Sequence, residues 1–396
     1  MESIIAYNGF DKDLKIMGRQ YAFDKAFDFD NDEYYESGFR SELNPLKVLE
    51  SYDPANCKFC EVEHNGDVVK EDNGGVVSKN IFIKREISLR ELVNIATYYI
   101  NKNVNFEAVK FSNLDYDVKT CLDNKSIVSG TGYRSVSANV GDESIVLHLA
   151  NYSISANTGN WSVSRNGGNS SVATNTGNWS VVTNNGEYSL SMSTGFSSIA
   201  LCDGDHSVVS TTGGRSNAIN TGQYSVSAAT GYNSQAENNG NHSVSLTTSC
   251  ESNVNAKGFY SIATSTGSAS TATTNGGFSS AINTGSFSNS ITDGKSSISA
   301  STGNLSVAKS IGKRSVAVST GDESVSSVEG DNSIAVVTGR YGKAAGALGC
   351  WLVLCEIGND DNDEILDVQT VKVDGVNIKP NVYYQLVKGK VVKTNY

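Results

Sequence analysis

Polar and apolar residues recur with a nine-residue period through the middle of the chain. From Ser126 to Ser333 every ninth residue is serine, at 24 positions without a gap. With the same period, glycine fills 22 of the 24 places from 132 to 339, and all but the last of these places lie three residues before one of the serines. The residue after each serine is mostly Val or Ile, and the one after that is always Ala, Ser or Val. This unit predicts a short β-strand and a turn, and such units must stack into a solenoid because one alone buries nothing.

The turn between strands is written N-T-G or N-N-G in many units. Glycine adopts positive φ angles without steric cost, and turns often need one such residue. We therefore expect the repeat glycine to supply the positive φ of each turn.

Two kinds of unit alternate, which makes the full period 18 residues. Face A comprises the strands that follow Ser135, Ser153 and every eighteenth residue to Ser333, and face B those that follow Ser126 to Ser324. The residue after the serine is apolar in eleven of twelve face-A units, and each face-A unit from Thr158 to Thr338 ends in threonine. On face B the position after the serine becomes polar, at Asn217, Gln235, Asn253, Thr271 and Asn289. The pattern predicts a mainly β, two-faced β-solenoid (a β-roll or β-helix) of about twelve coils, each with two strands.

Side chains alternate along a strand, so the serine and the small residue two positions later share one side. Their constant small size predicts an interior in which serine ladders form hydrogen bonds along the axis. The other side then points outward, and on face B it carries polar residues such as Arg165, Glu237 and Lys309. The reverse assignment, with Val and Ile in the core, would bury the face-B amides and require paired amide ladders.

The outward side of face A is the candidate interaction surface. It shows Val or Ile, then small or apolar residues, beside a row rich in aromatic side chains. A flat apolar face of this length exceeds what soluble monomers usually tolerate, so we expect it to pack against other copies of the chain, as a trimer around a symmetry axis. The predicted surface residues are Tyr152, Tyr188, Val208, Tyr224, Val226, His242, Val244, Tyr260, Ile262 and Phe278.

The two ends of the chain lack the repeat. Residues 1–122 are expected to form a small α/β domain with a helix at 88–101, residues 123–342 the solenoid, and residues 343–396 a β-rich C-terminal cap. Solenoids need covered ends to avoid edge-to-edge growth, and both end domains are expected to supply that cover.

Charge and repeat chemistry exclude several functions. The net charge of −11 argues against binding of nucleic acid through its phosphates. Most of that charge lies in the end domains, which disfavours a rod-length DNA mimic. Calcium-binding nonapeptide repeats need Asp where this unit has serine. Ice binding is disfavoured because the single threonine row is flanked by Val and Tyr instead of a second threonine row.

No catalytic, cofactor or metal site is expected, and the chain is interpreted as not being an enzyme. The four histidines have no nucleophile or ligand neighbourhood, and no phosphate-binding loop occurs. Cys57-x-x-Cys60 resembles half of a zinc site without its second pair. The opening lacks a signal peptide and no apolar run is long enough for a membrane span. We expect the protein in the cytoplasm of the producing cell or in a phage particle assembled there.

Two resemblances bear on function. The G-x-x-S-V-A unit is similar to the head β-rolls of trimeric autotransporter adhesins, whose repeat length differs, and this likeness implies a trimer. The opening (IIAYNGFDKDLKIMGRQYAF, CKFCEVE, VKEDNGGVVSKNIFIKREISLRELV) and the ending (KAAGALGCWLVLCEI, VKVDGVNIKP, YYQL) resemble an uncharacterised phage and prophage family with an N-terminal domain before TGxxSxA repeats. This resemblance implies a phage-related setting and transfers no catalytic residues.

Two functions remain open at this point. One is a structural or adhesive phage component that forms oligomers and presents binding surfaces to an unidentified protein partner. The other is a soluble phage inhibitor that binds and disables a host defence complex.

Overall fold

The computed structural model describes residues 3–29, 38–104, 106–358 and 364–395. It confirms the predicted class: a mainly β chain with a β-solenoid of 18 residues per coil, an N-terminal sheet domain and C-terminal strands. The chain divides into two compact units, Met1–Leu201 with Thr211–Asn217 (unit 1) and Cys202–Ser210 with Ala218–Tyr396 (unit 2).

The N-terminal domain, in unit 1, is an antiparallel sheet with one helix. Its elements are β1 (Ile4–Phe10), β2 (Lys15–Ile16), β3 (Arg19–Gln20), β4 (Lys25–Asp28), β5 (Phe39–Glu42), a 3-10 helix (Pro45–Glu50), β6 (Lys58–Asn65), β7 (Val69–Lys70), β8 (Gly75–Ser78), β9 (Asn80–Ile87), α1 (Leu89–Lys102) and a 3-10 turn (Phe106–Ala108). The strand order is β4-β9-β6-β1-β5-β8-β7, and β2 pairs with β3 separately. Ser88 and Glu91 form a capping box that begins α1.

The solenoid strands are mostly four residues long, with even-numbered strands on face B and odd-numbered strands on face A. In chain order they are β10 (Val109–Ser112), β11 (Val118–Cys121), β12 (Ile127–Gly130), β13 (Val136–Asn139), β14 (Ile145–His148), β15 (Ile154–Asn157), β16 (Val163–Asn166), β17 (Val172–Asn175), β18 (Val181–Asn184), β19 (Leu190–Ser193), β20 (Ile199–Cys202), β21 (Val208–Thr211), β22 (Asn217–Asn220), β23 (Val226–Ala229), β24 (Gln235–Asn238), β25 (Val244–Thr247), β26 (Asn253–Ala256), β27 (Ile262–Ser265), β28 (Thr271–Thr274), β29 (Ser280–Asn283), β30 (Asn289–Thr292), β31 (Ile298–Ser301), β32 (Val307–Ser310), β33 (Val316–Ser319), β34 (Val325–Val328), β35 (Ile334–Val337), β36 (Lys343–Gly346) and β37 (Trp351–Ile357).

The parallel ladders extend beyond the serine repeat at both ends. Strands β10 and β11 pair in register with β12 and β13, and β36 and β37 continue from β34 and β35. Ala108, Asp117, Gly342 and Cys350 stand where the repeat has serine. The solenoid therefore has about 14 coils, where the serine count alone predicts about twelve.

The repeat serines lie in the interior, as predicted, and join successive coils. The N–H of Ser144 donates to Oγ of Ser162 at 3.1 Å, and in unit 2 the N–H of Ser225 donates to Oγ of Ser243 at 3.1 Å. Most of these hydroxyls also donate to a backbone carbonyl of an earlier coil, usually that of a glycine, as Ser162 does to Gly141 at 3.3 Å. Every serine hydroxyl of this kind thus satisfies backbone groups that the turn would otherwise bury unpaired.

A buried asparagine closes many of the strands. In unit 1, Oδ1 of Asn157 accepts the N–H of Gly159 at 2.9 Å, and its Nδ2 donates to the carbonyl of Ser144 at 3.4 Å. Asn220 makes the equivalent contact to the N–H of Gly222 in unit 2. The asparagine of the N-T-G turn is therefore an interior cap, a side-chain turn that replaces a backbone hydrogen bond.

The prediction that repeat glycine supplies the positive φ is wrong. Within the described residues, the glycines with positive φ all lie outside the repeat, and the left-handed residue is the one immediately before each serine, such as Trp161 (φ 50°) or Tyr224 (φ 54°). The glycine is required for a different reason. A Cβ on Gly177 would lie 2.0 Å from the carbonyl oxygen of Gly159, so only glycine allows the backbones of successive coils to approach this closely.

The N-terminal domain covers part of face B, a position that the sequence did not predict. Val163, Val181 and Ile199 point outward on face B, yet all three are fully buried. Two side chains of the solenoid donate hydrogen bonds to this domain. Ser197 Oγ donates to the Leu49 carbonyl at 2.9 Å, and Asn217 Nδ2 donates to the Pro54 carbonyl at 2.9 Å. The expectation of a solvated face B is therefore wrong for these coils of unit 1.

The C-terminal strands close the interior of unit 2. Strand β38 (Ile365–Lys372) pairs antiparallel with β37, while β39 (Tyr383–Val387) joins β36 and forms a hairpin with β40 (Lys390–Thr394). Leu352, Leu354, Val373, Tyr384 and Leu386 form one buried cluster. These side chains are larger than the repeat interior allows and fill the end of the solenoid.

Candidate interaction face

The outward side of face A consists of three side-chain rows, two on the strands and a third formed by the threonines. Ile262, at the first row, is 40% exposed, and Thr266, at the third, is also exposed. The residues on either side of Ile262, Ser261 and Ala263, are almost completely buried. This excludes the reverse assignment of core and surface.

These three rows carry no charged residue from Val136 to Thr338, a stretch that the structure describes in full. Their side chains are Val, Ile, Leu, Met, Ala, Ser and Thr. The matching rows of face B include Arg165, Asp203, Glu237, Lys257 and Lys309. The chain thus keeps charge off one face of the solenoid while placing both signs on the other.

A row of aromatic rings borders face A in unit 2. His206, Tyr224, His242, Tyr260 and Phe278 occupy the same position in five successive coils, with ring centroids 4.9–5.2 Å apart. The outer pairs are stacked, with interplanar angles of 8° and 10°, and the middle pairs are tilted by 45°. Because neighbouring rings cover each other's faces, the row presents ring edges, tyrosine hydroxyls and imidazoles to a partner.

The backbone places these rings outward. Each ring belongs to the left-handed residue before a buried serine, for example His242 with φ 57° and Tyr260 with φ 56°. Since side chains alternate, a buried serine next along the chain leaves the preceding side chain on the outside. The 18-residue period then sets the rings one strand spacing apart.

The predicted surface residues fall into both units. In unit 2 the structure brings Val208, Tyr224, Val226, His242, Val244, Tyr260, Ile262 and Phe278 together on face A. In unit 1, Tyr152 and Tyr188 occupy the equivalent outward position and are 52% and 62% exposed. Tyr152 contacts Tyr133, with centroids 5.4 Å apart, and Arg134 lies 5.6 Å from the Tyr152 ring.

A second aromatic pair, on face B of unit 1, was not predicted as a functional feature. Trp161 and Trp179 stack with centroids 5.4 Å apart and planes inclined by 9°. Lys47 of the N-terminal domain lies 5.5 Å from the Trp161 ring and pairs with Glu143 at 3.4 Å. The repeated NTGNWSV heptad was the available signal, and Trp161 of its first copy contacts the N-terminal domain through Lys47.

The cysteines and histidines of the N-terminal domain are mostly shielded from solvent. No group of three or more His, Cys, Asp or Glu residues there is placed to hold a metal ion. Burial raises the pKa of Cys60 to about 12 and also raises that of Cys57, which keeps both thiols protonated near neutral pH. His64 is buried, and burial lowers its pKa to about 4.

Within the described ranges, no helix is both long and apolar enough to cross a bilayer.

Comparison with known proteins bears on the N-terminal domain alone. A family model described as "Domain of unknown function (DUF7666)" matches residues 4–95. No curated protein and no solved structure matches the chain. The matched stretch spans β1–β9 and the first part of α1, so the domain that covers face B is similar to an uncharacterised family, and the solenoid lies outside the match.

Proposed function

We propose that this protein is a non-enzymatic, oligomeric β-solenoid in which copies of the chain associate through face A. The observation that carries the proposal is the uncharged, β-branched outward surface of face A beside an exposed aromatic row. The role we assign is structural or adhesive, in the phage-related setting that the terminal sequences imply.

A second copy of the chain is the occupant that best fits this face. An uncharged surface gives a charged partner nothing to pair with, whereas another face A has the same chemistry. Successive side chains within each row are about 4.8 Å apart, which is the strand separation, so the side chains of two such faces repeat with the same period. Association of identical faces around a symmetry axis is the common way that soluble proteins bury such patches.

The available area is sufficient for a stable contact. The nine face-A strands of unit 2 from β21 to β37 span about 40 Å at the usual strand separation. With a width of about 15 Å, the flat face offers about 600 Å² per copy, or about 1,200 Å² in a pairwise contact. Stable interfaces begin at about this total. In the trimer expected from the adhesin likeness, each copy would contact two others through face A, so the total buried area would exceed that of a pairwise contact.

Face B of unit 2 then remains for a different protein. Its outward positions include Gln235, Glu237, Asn253 and Lys257, which are polar and at least partly exposed. A mixed, charged surface of this kind suits a soluble partner and does not compete with face A. Presenting these rows from an oligomer is the binding function that we propose.

The test is the solution mass of the full chain, measured by light scattering at several concentrations. One variant carries Val226→Lys, Val244→Lys and Ile262→Lys on face A. Its matched control carries Gln235→Lys, Asn253→Lys and Thr271→Lys, the same strand position on face B of adjacent coils. We expect an oligomeric wild type, a folded monomeric face-A variant and an oligomeric control.

Two results would count against the proposal. The first is a wild type that stays monomeric up to about 100 µM, a concentration at which even a contact with Kd of 10 µM would be populated. The second is a face-A variant that keeps the wild-type mass. The circular dichroism spectrum and melting temperature of each variant establish that it is folded. If the triple variant unfolds, the single variant Val244→Lys is measured instead.

A further inference from the structure

The N-terminal sheet opens between β1 and β5, which pair at a single register position. The two strands pair antiparallel at Tyr7 and Glu42. One residue further along β1, the side chain of Asn8 bridges the two strands. Its Nδ2 donates to the Arg40 carbonyl at 3.0 Å, while its Oδ1 accepts the N–H of Gly9 at 2.9 Å. Side-chain bridging of this kind shows where the two strands open.

A cavity of about 350 Å³ lies at this opening. Tyr21, Phe39 and Tyr52 provide aromatic walls, and Asn8, Ser41 and Glu42 provide polar groups. One wall is fixed by glycine, since a Cβ on Gly9 would lie 2.1 Å from Cγ of Tyr52. The cavity-lining residues all belong to the region that the uncharacterised domain family matches.

One of the lining side chains is a buried serine. Ser41 is 2% exposed, and its Oγ makes no hydrogen bond within the described part of the chain. A buried hydroxyl left unpaired costs about 1–3 kcal/mol, so a structure that keeps one beside a cavity has a position for a polar atom of a ligand.

The cavity lining carries two carboxylates, Glu42 and Glu50, and two cations, Arg40 and Lys47. Its two cations are directed to carboxylates elsewhere: Arg40 pairs with Glu71 at 2.7 Å, and Lys47 pairs with Glu143 at 3.4 Å. Glu42 is left with a contact of 3.8 Å to Nε of Arg40. Burial is the largest influence on the Glu42 carboxyl and raises its pKa; the charges of Arg40 and Lys47 lower the pKa by less, and the Glu50 and Glu71 carboxylates raise it further. A cation in the cavity would compensate both lining carboxylates.

We propose that this cavity binds a small organic amine. The ammonium group would lie beside Glu42 and Glu50 and donate a hydrogen bond to Ser41 Oγ. The alkyl stem would contact the rings of Tyr21, Phe39 and Tyr52, which also favour a cation through their π faces. The Phe39 ring already makes one cation–π contact, with the Arg19 guanidinium 5.3 Å from its centroid.

The test is calorimetric titration of the full chain at pH 7.5 with four probes: n-butylamine, 1,4-diaminobutane, butyrate and 1-butanol. We expect saturable one-to-one binding of the amines and none of the other two. Glu42→Gln should weaken amine binding at least tenfold and Ser41→Ala severalfold. The control Glu86→Gln removes a carboxylate of the same sheet, paired with Lys58 at 3.6 Å, and should leave binding unchanged.

Absence of saturable binding by both amines, preferential binding of butyrate, or wild-type affinity in Glu42→Gln would each overturn the proposal. If Glu42→Gln lowers the melting temperature too far for titration, Glu50→Gln takes its place, because its side chain is exposed. The readout does not involve face A, so this inference and the proposed oligomer succeed or fail separately.

Discussion

Each turn of the solenoid depends on two residues, two positions apart, that meet different requirements: one must be small, and the other must adopt a left-handed backbone. The glycine three positions before a serine needs space for the carbonyl of the previous coil, whereas the residue directly before the serine adopts a left-handed backbone. A non-glycine residue in that conformation loses about 1–2 kcal/mol, and here the cost recurs in every unit. The hydrogen bonds of the serine and asparagine caps offset it.

One coil contains a matched pair that tests this account. Ala269 has φ 54°, and a Cβ on Gly267 would lie 2.0 Å from the carbonyl oxygen of Ser249. We expect Ala269→Gly to leave the free energy of unfolding unchanged or raise it by up to about 1 kcal/mol. Gly267→Ala should lower it by more than about 1 kcal/mol, because the backbone of one coil must shift.

Urea unfolding of both variants measures the difference. A destabilising Ala269→Gly combined with a neutral Gly267→Ala would contradict the assignment of the two positions.

The sequence did contain a signal for the left-handed position. Across the 24 units, Val, Ile and Thr never occur immediately before the serine, although they are frequent on the strands. β-branched residues are the ones most strongly excluded from positive φ. The glycine pattern alone could not reveal this, because glycine is selected equally by positive φ and by close backbone contact.

At the scale of the strands, one outward position has two environments. Ile199 on β20 is fully buried beneath the N-terminal domain, whereas Ile262 on β27 is 40% exposed on face A. Both follow a repeat serine, so their local backbone and interior neighbours are alike. Their difference comes entirely from what covers the strand.

Substitution of each isoleucine by lysine separates the two environments. Ile199→Lys should lower the free energy of unfolding by at least about 3 kcal/mol, because it removes a buried side chain and inserts a charge under the domain. Ile262→Lys should change it by less than about 1 kcal/mol in dilute, monomeric protein. Denaturant midpoints of the two variants give the comparison, and equal destabilisation would contradict the placement of the N-terminal domain on face B.

Period, strand positions, two faces and the interior serine rows could all be predicted, because each depends on local alternation along a repeating chain. The docking of the N-terminal domain could not, although a trace of it is visible: the face-B row changes from Val163, Val181 and Ile199 to Asn217. The amine cavity left no trace, since it arises where β1, β5 and the segment at 45–52 meet. Contacts between distant segments of a single sequence leave no periodic pattern.

At the scale of the whole chain, charge is distributed by surface. The net charge is −11, yet the three outward rows of face A carry none of the ionised side chains. The ionised side chains therefore lie on face B and the end domains, while face A is kept free of groups that would have to be desolvated on association. This division is the central observation behind the proposed oligomer.

The measurement that tests it most directly is hydroxyl-radical footprinting of the wild-type chain below and above the concentration at which its mass increases. The proposal predicts that Tyr224, His242 and Tyr260 become protected on association, while Phe287 and Tyr341, which are exposed at the equivalent position on face B, keep their labelling rate. Unchanged labelling of the face-A rings, or protection confined to Phe287 and Tyr341, would contradict association through face A.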